Sequence, residues 1–179
     1  MKAESLERFG TSRLHAERLR AEHLAALLAL HANPRMMATL GGVRSEAQTR
    51  AYLAANLDHW EHYGFGLWML RDRAGRLAGR AGLRRVAITG AQETEIAYAL
   101  LPEFWGRGLA TEIAQALRDI GLARLGLSSL IAFTLVDNRA SRRVMEKIGL
   151  RFERAFEHGG LPHVLYRIAR NATPAGMTG

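Results

Sequence analysis

Residues 102–112 read Pro-Glu-Phe-Trp-Gly-Arg-Gly-Leu-Ala-Thr-Glu, and the fold turns on how they are interpreted. A strand-like run, Thr94 to Leu101, comes before them and an amphipathic helix after them. Leu109, Ala110, Ile113, Ala114, Leu117 and Ile120 share one arc of that helix; Thr111, Glu112, Gln115, Arg118 and Asp119 occupy the other. A glycine turn that opens a helix leaves backbone N–H groups unpaired at the positive end of the helix dipole, a seat suited to phosphate or pyrophosphate. Gly106 and Gly108 let the backbone turn tightly and approach a ligand, and Arg107 adds a full positive charge. The same residues also suit a plain strand-to-helix connection, and a Gly-x-Gly pair alone does not decide between the two.

The chain has 179 residues, which suits one domain with a sizeable core. It has no cysteine, so disulfides, thiolate metal sites and a cysteine nucleophile are excluded. His59 and His62 stand three apart with no third ligand nearby, and no metal site is expected. The first residues lack the apolar core of a signal peptide and no run reaches membrane-spanning length, so a cytoplasmic protein without a membrane partner is the expectation. The formal charge is +8, yet Lys2 and Lys147 are the only lysines and the arginines are scattered. That distribution argues against nucleic acid as the main partner.

Three segments are expected: an N-terminal extension over 1–10, one domain over 11–169, and a flexible polar tail over 170–179. Within the domain, Thr11 to Arg20 reads as a strand and Ala21 to His31 as a helix ending before Pro34. Ser45 caps a second helix to about His62, with Gln48 completing a capping-box pattern. Leu67 to Leu70 and Leu77 to Val86 read as a hairpin, Leu130 to Val136 as a strand, and Arg139 to Ile148 as a helix stopped at Gly149. Arg151 to Phe156 and His163 to Ile168 read as a last antiparallel pair. Strands and helices without strict alternation predict a mixed sheet with helices packed on it.

Two positions break the apolar pattern. Ser141 falls inside the arc formed by Ala140, Val144, Met145 and Ile148, where its hydroxyl needs a partner; a back-bond to the helix and a place on a ligand channel are both open. Asn138 is a good N-cap for the same helix. On the strand before the glycine turn, alternation puts Ile96, Tyr98 and Leu100 on one face and Glu93, Glu95, Ala97 and Ala99 on the other. A carboxylate there is either solvated or faces a partly dry cleft, where it could serve as a general base.

The glutamate-bearing strand, the turn Trp105-Gly106-Arg107-Gly108-Leu109-Ala110 and its helix resemble motif A of the GNAT N-acetyltransferases. Asn138-Arg139-Ala140-Ser141 through Glu146-Lys147-Ile148-Gly149-Leu150 resembles the motif B that follows. Order and spacing agree over residues 11–169, and the look is that of the branch that acetylates ribosomal-protein N-termini. The resemblance implies an α/β (α+β) fold: a mixed, mostly antiparallel sheet splayed at its centre, with helices on both faces. It implies acetyl-CoA as co-substrate, held at Trp105, Gly106, Arg107, Gly108, Leu109, Ala110 and Thr111. The pantetheine arm would run along Ala99, Leu100 and Leu101, with Asn138 and Ser141 opposite. Glu95 matches the family's catalytic glutamate, and no covalent enzyme intermediate is implied.

The chain departs from the family where many members carry a tyrosine acid, a position held here by Met145. Ser141 is the substitute expected, with Tyr166 as an outside candidate. The acceptor is expected to be a peptide or protein N-terminal amine; a small amine (polyamine, antibiotic or amino acid) and a non-catalytic acyl-CoA-binding module are the rival readings. His59, Trp60, His62, Tyr63 and Phe65 could line an acceptor pocket, but an aromatic plug in the core is the commoner outcome. A monomer or a homodimer is expected.

Overall fold

A computed structural model describes residues 6–170. The chain forms β1 (Arg8–Gly10), β2 (Leu14–Arg18), α1 (Leu24–His31), α2 (Pro34–Met37), α3 (Glu46–Tyr63), β3 (Leu67–Asp72), β4 (Leu77–Ile88) and β5 (Ala91–Leu100). Then come α4 (Leu109–Asp119), β6 (Ser129–Leu135), α5 (Arg139–Lys147), β7 (Arg151–His158) and β8 (Leu161–Ala169). The strands make one sheet of eight in the order β1-β2-β3-β4-β5-β6-β8-β7. Every neighbouring pair is antiparallel except β5 and β6. This is the mixed, mostly antiparallel sheet that the sequence leads one to expect.

Alternation along the strands assigns the two faces. Trp68 and Leu70 of β3, with Ile96 and Leu100 of β5, share a core with Ile113, Ala114 and Leu117 of α4, Met145 of α5 and Ile148 just after it. Leu67 and Met69 of β3 and Ala99 of β5 point the other way, against Leu27 and Leu30 of α1 and Leu53 of α3. Helices therefore cover both faces. The helix starts follow local chemistry: Ser45 Oγ accepts from the Gln48 N–H at 3.2 Å while Gln48 Oε1 accepts from the Ser45 N–H at 2.8 Å, a complete capping box.

Four local expectations need correction. The strand read from Thr11 to Arg20 is only Leu14–Arg18, because Thr11 folds the chain back: its N–H donates to Leu14 O (2.9 Å) and its hydroxyl accepts from the Leu14 N–H (3.1 Å). Residues 8–10, placed in the N-terminal extension, therefore add an edge strand to the sheet. Pro34 does not only end α1; it is the first residue of α2, capped by Asn33, since proline lacks an N–H that position does not need. Ala140 is exposed and does not belong to the apolar arc of α5. The tail expected over 170–179 lies outside the described residues except Arg170, whose N–H donates to Ser128 O at 2.8 Å.

Close backbone approach fixes the β3–β4 contact. A Cβ on Gly82 would lie 2.3 Å from Gly66 O and 2.7 Å from Leu67 Cα, both backbone atoms. Gly82→Ala is therefore expected to force β3 away from β4 and to cost roughly 2–3 kcal/mol or more. A urea-unfolding midpoint equal to that of the parent would show the approach to be looser than this geometry.

Candidate active site

β5 and β6 run parallel but pair at one position only, Glu95 with Ile131. Beyond that pair the strands part, so the C-terminal half of β5 faces an opening. Both strands end on the same side of the sheet. The glycine turn and the start of α4 follow β5 there, and the start of α5 follows β6. Ligands bind parallel strands at such carboxyl ends.

The glycine turn has the geometry of an anion seat. Gly106 and Gly108 have φ of +69° and +75°, a left-handed conformation that side chains with a Cβ seldom adopt. No protein acceptor among the described residues takes the N–H groups of residues 106–111, and the first bond of the turn is Glu112 N–H to Gly108 O at 3.0 Å. A carboxylate in the first turn would oppose a bound phosphate, and Glu112 sits there. It is neutralised in place: Oε1 accepts from Thr11 Oγ1 (2.6 Å) and the Arg13 N–H (2.7 Å), and Oε2 from Arg13 Nε (2.7 Å). Burial pushes the Glu112 pKa up, but these hydrogen bonds and the Arg13 charge outweigh it and hold the carboxyl below its ordinary value. Arg13 Nη1 also donates to Arg107 O at 2.7 Å, tying the β1–β2 turn to the glycine turn. A recess of about 250 Å³ beside it is lined by Arg13, Arg73, Arg107 and Asp72.

The other residues expected at the donor site divide. Trp105 is 45% exposed, and its Nε1–H donates to Leu100 O at 2.8 Å, which locks the turn to the end of β5. The Leu101 N–H is already bonded to Ala78 O (2.9 Å), leaving fewer backbone groups for a pantetheine arm than expected. Asn138 uses its side chain within the protein: Oδ1 accepts from the Ser141 N–H (3.2 Å) and Nδ2 donates to Thr134 Oγ1 (2.9 Å). It is a cap, as its position suggests. Ser141 Oγ finds its partner in Tyr98 rather than in its own helix, with 2.9 Å between the hydroxyls.

Tyr98 is the residue that sequence reasoning missed. It was assigned to the apolar face of β5, and that face is the one that meets α5; tracing both periodicities together would have found the pair. Burial pushes its phenol up to about 12, with the Ser141 hydrogen bond opposing the shift, so it keeps its proton at neutral pH. Tyr166, the outside candidate, is 1% exposed; its hydroxyl donates to Glu146 Oε1 (3.1 Å) and accepts from Arg142 Nε (3.2 Å). Met145 is core.

Glu95 projects from the opposite face of β5, beneath α1 and α3. It is buried, and its Oε2 accepts from Arg84 Nη2 at 2.6 Å. Oε1 has no protein partner among the described residues. Around this pair stand Arg80, Arg44 and Tyr52. His31, fully buried, accepts from Arg44 Nη1 through Nε2 (3.0 Å), which leaves Nδ1 to donate to Thr49 Oγ1 (3.0 Å). The aromatic cluster at the end of α3 divides, with His62 and Tyr63 exposed. Trp60 and Phe65 are core, and His59 bridges the Phe65 C=O and the Arg85 N–H. No group of three or more potential metal ligands occurs among the described residues.

The sequence matches the family description "Acetyltransferase (GNAT) domain" over residues 13–151. The chain belongs to the GNAT acetyltransferases, enzymes that transfer an acetyl group from acetyl-CoA to an amine. It is 30% identical over 158 residues to the uncharacterised protein YkkB of Bacillus subtilis strain 168, covering 87% of this chain and 92% of that one. Among solved structures it is similar to a GnaT-family protein of Bordetella pertussis, with a TM-score of 0.81, 26% identity, and 90% and 99% of the two chains covered. The ribosomal-protein α-N-acetyltransferase RimL, solved in complex with coenzyme A, shares the fold with a TM-score of 0.77 at 21% identity, covering 92% and 99%.

Two predictions follow from this geometry. Gly108→Asp sets a carboxylate among the free N–H groups and forces an unfavourable φ; it is expected to abolish acetyl-CoA binding in calorimetry, and retained affinity would refute the anion seat. Burial, with Arg80 and Arg44 nearby, depresses His31 from the ordinary 6.5 to about 4. Between those values the unfolded chain binds more protons than the folded one, so stability is lost as pH falls from 6.5 toward 4. Thermal midpoints across this range should fall less steeply in His31→Gln, with His23 and His59, depressed in the same direction, supplying the remainder.

Proposed function

We propose that the protein acetylates a primary amine by direct attack on acetyl-CoA, and that the amine is the N-terminus of a peptide or protein. The observation that carries this reading is the distribution of reactive side chains on β5. Glu95 stands on the α1–α3 side and Tyr98 with Ser141 on the α4–α5 side. They are three positions apart along the strand, about 10 Å. Donor and acceptor would enter from opposite faces and meet at the opening between β5 and β6.

The parts then have distinct work. Backbone N–H groups of Arg107 to Ala110, with the α4 dipole, hold the pyrophosphate of the donor. Trp105, Gly106 and Thr111 shape that seat, and Leu109 anchors it in the core. Oε1 of Glu95 takes the acceptor proton, directly or through one water, so that a neutral amine attacks the thioester. The protonated Tyr98, hydrogen-bonded to Ser141, is the group placed to give a proton to the departing thiolate. The fold shared with RimL supports an N-terminal amine over the small-amine alternative.

Glu95→Gln keeps the shape and removes the base. It is expected to lower turnover roughly a hundredfold or more while acetyl-CoA affinity is preserved, since the donor seat lies on the other face. A thermal melt controls for the lost ion pair with Arg84. The reading is tested by acetyl-CoA turnover, followed as free thiol, against N-terminal peptides and small amines. Activity confined to small amines would overturn the peptide acceptor, and undiminished turnover in the Gln variant would remove Glu95 as base.

A further inference from the structure

The pocket beneath α1 and α3 is charged in a way that proton abstraction does not require. Arg80 is 5% exposed and forms no ion pair among the described residues; its Nε is out of solvent without a hydrogen-bond partner. Its guanidinium lies 4.9 Å from the centre of the Tyr52 ring, and that of Arg44 lies 4.7 Å from the same centre. The Tyr52 hydroxyl is also buried without a partner, as is Nε of Arg84. The charged side chains acting on Arg80 are Arg84, Arg44 and Glu95: three guanidinium groups in all against a single carboxylate, and that carboxylate is already held by Arg84. Burying an uncompensated cation is costly, and a fold retains one where a ligand supplies the missing charge. Gly82 stands between Arg80 and Arg84 on the same face of β4, and Leu67 of β3 packs over it.

We propose that the acceptor carries a carboxylate within a few bonds of its amine, and that Arg80, with Arg44 beside it and the Tyr52 hydroxyl, binds that carboxylate while Glu95 faces the amine. This rests on the acetyl-transfer reading above and narrows the acceptor it takes. Arg80 and Arg44 would present N–H donors to the carboxylate in the fork geometry that suits it. His31 is a positioning residue, fixing Arg44 through its Nε2. The carboxylate has two possible sources, an acidic side chain at the first residue of a peptide or the α-carboxylate of a free amino acid.

The test compares isosteric pairs. Peptides beginning with Asp and with Asn, and alanine with alaninamide, are assayed for acetyl transfer and, by calorimetry without acetyl-CoA, for binding. The acidic member of at least one pair is expected to win roughly tenfold or more, the scale of a hydrogen bond to a charged group. Arg80→Met should bring that ratio close to one while acetyl-CoA affinity stays at the parental value. If this variant does not fold, Arg44→Gln, at a half-buried position, should lower the same ratio. A preference in the first pair identifies a side-chain carboxylate, and in the second an α-carboxylate. Equal transfer and equal binding within both pairs overturn the carboxylate site and leave the acetyltransferase reading standing. An unchanged ratio in a folded Arg80→Met also overturns it, assigning Arg80 to a purely structural stack on Tyr52. Tighter binding of the acidic member with transfer to no amine supports the site and removes the reading on which it was built.

Discussion

Two parallel strands that pair once and then separate set the constraint under which the rest of this structure is arranged. Peptide groups on the inner edges of β5 and β6 lose their sheet partners after Glu95 and Ile131, and such groups are costly to bury unbonded. The fold responds in part with its own side chains: Trp105 takes the Leu100 carbonyl and Asn138 holds the first turn of α5. What remains is a slot with strand edges for walls and helix N-termini at its mouth. Sheet topology thus creates the opening, and the helices above and below add charge and shape to it.

The two faces of the sheet have opposite electrostatic characters near that slot. On the α4–α5 side the polar groups are hydroxyls and amides: Tyr98, Ser141, Asn138 and the N–H groups of the turn. On the α1–α3 side they are ionic and crowded, with Arg44, Arg80 and Arg84 set around Glu95 and Tyr52. A neutral, dipolar wall suits an extended arm and a thioester. A strongly cationic wall favours a partner of opposite charge and disfavours cationic amines. The Glu95–Arg84 ion pair holds Glu95 in place and supplies part of that field.

Much of the donor side was legible because its chemistry is local. The glycine turn, the amphipathic helix after it and the Asn-x-x-Ser start of α5 each occupy a few consecutive residues whose types have a physical reason to be there. The faces of β5 also followed from simple alternation, which put Glu95 on the correct side. Tyr98 was hidden by the same rule: a tyrosine among isoleucine and leucine reads as core, and its meaning depends on a serine 43 residues away. The arginine cluster was illegible for a different reason. Arg44 lies before α3, Tyr52 within it, and Arg80 and Arg84 on β4, and each looks like one of the many arginines that give the chain its +8 charge. Only burial separates them from the rest. Pro34 and Thr11 were misjudged because each sits at a junction: Pro34 opens α2 just after α1 has ended, and Thr11 turns the chain between β1 and β2.

The clasp of Arg13 and Glu112 alters what kind of object the glycine turn is. Read along the chain it is a self-contained motif, eleven residues that carry their own instructions. In the folded protein its charge balance depends on the turn between the first two strands, 99 residues earlier. A nascent chain could wind α4 and close the glycine loop and still present a carboxylate to any incoming phosphate until that N-terminal turn docks. The readiness of the turn for an anion therefore rests on the edge of the sheet that furnishes its arginine, and a molecule lacking that contact would hold the motif with its carboxylate unneutralised.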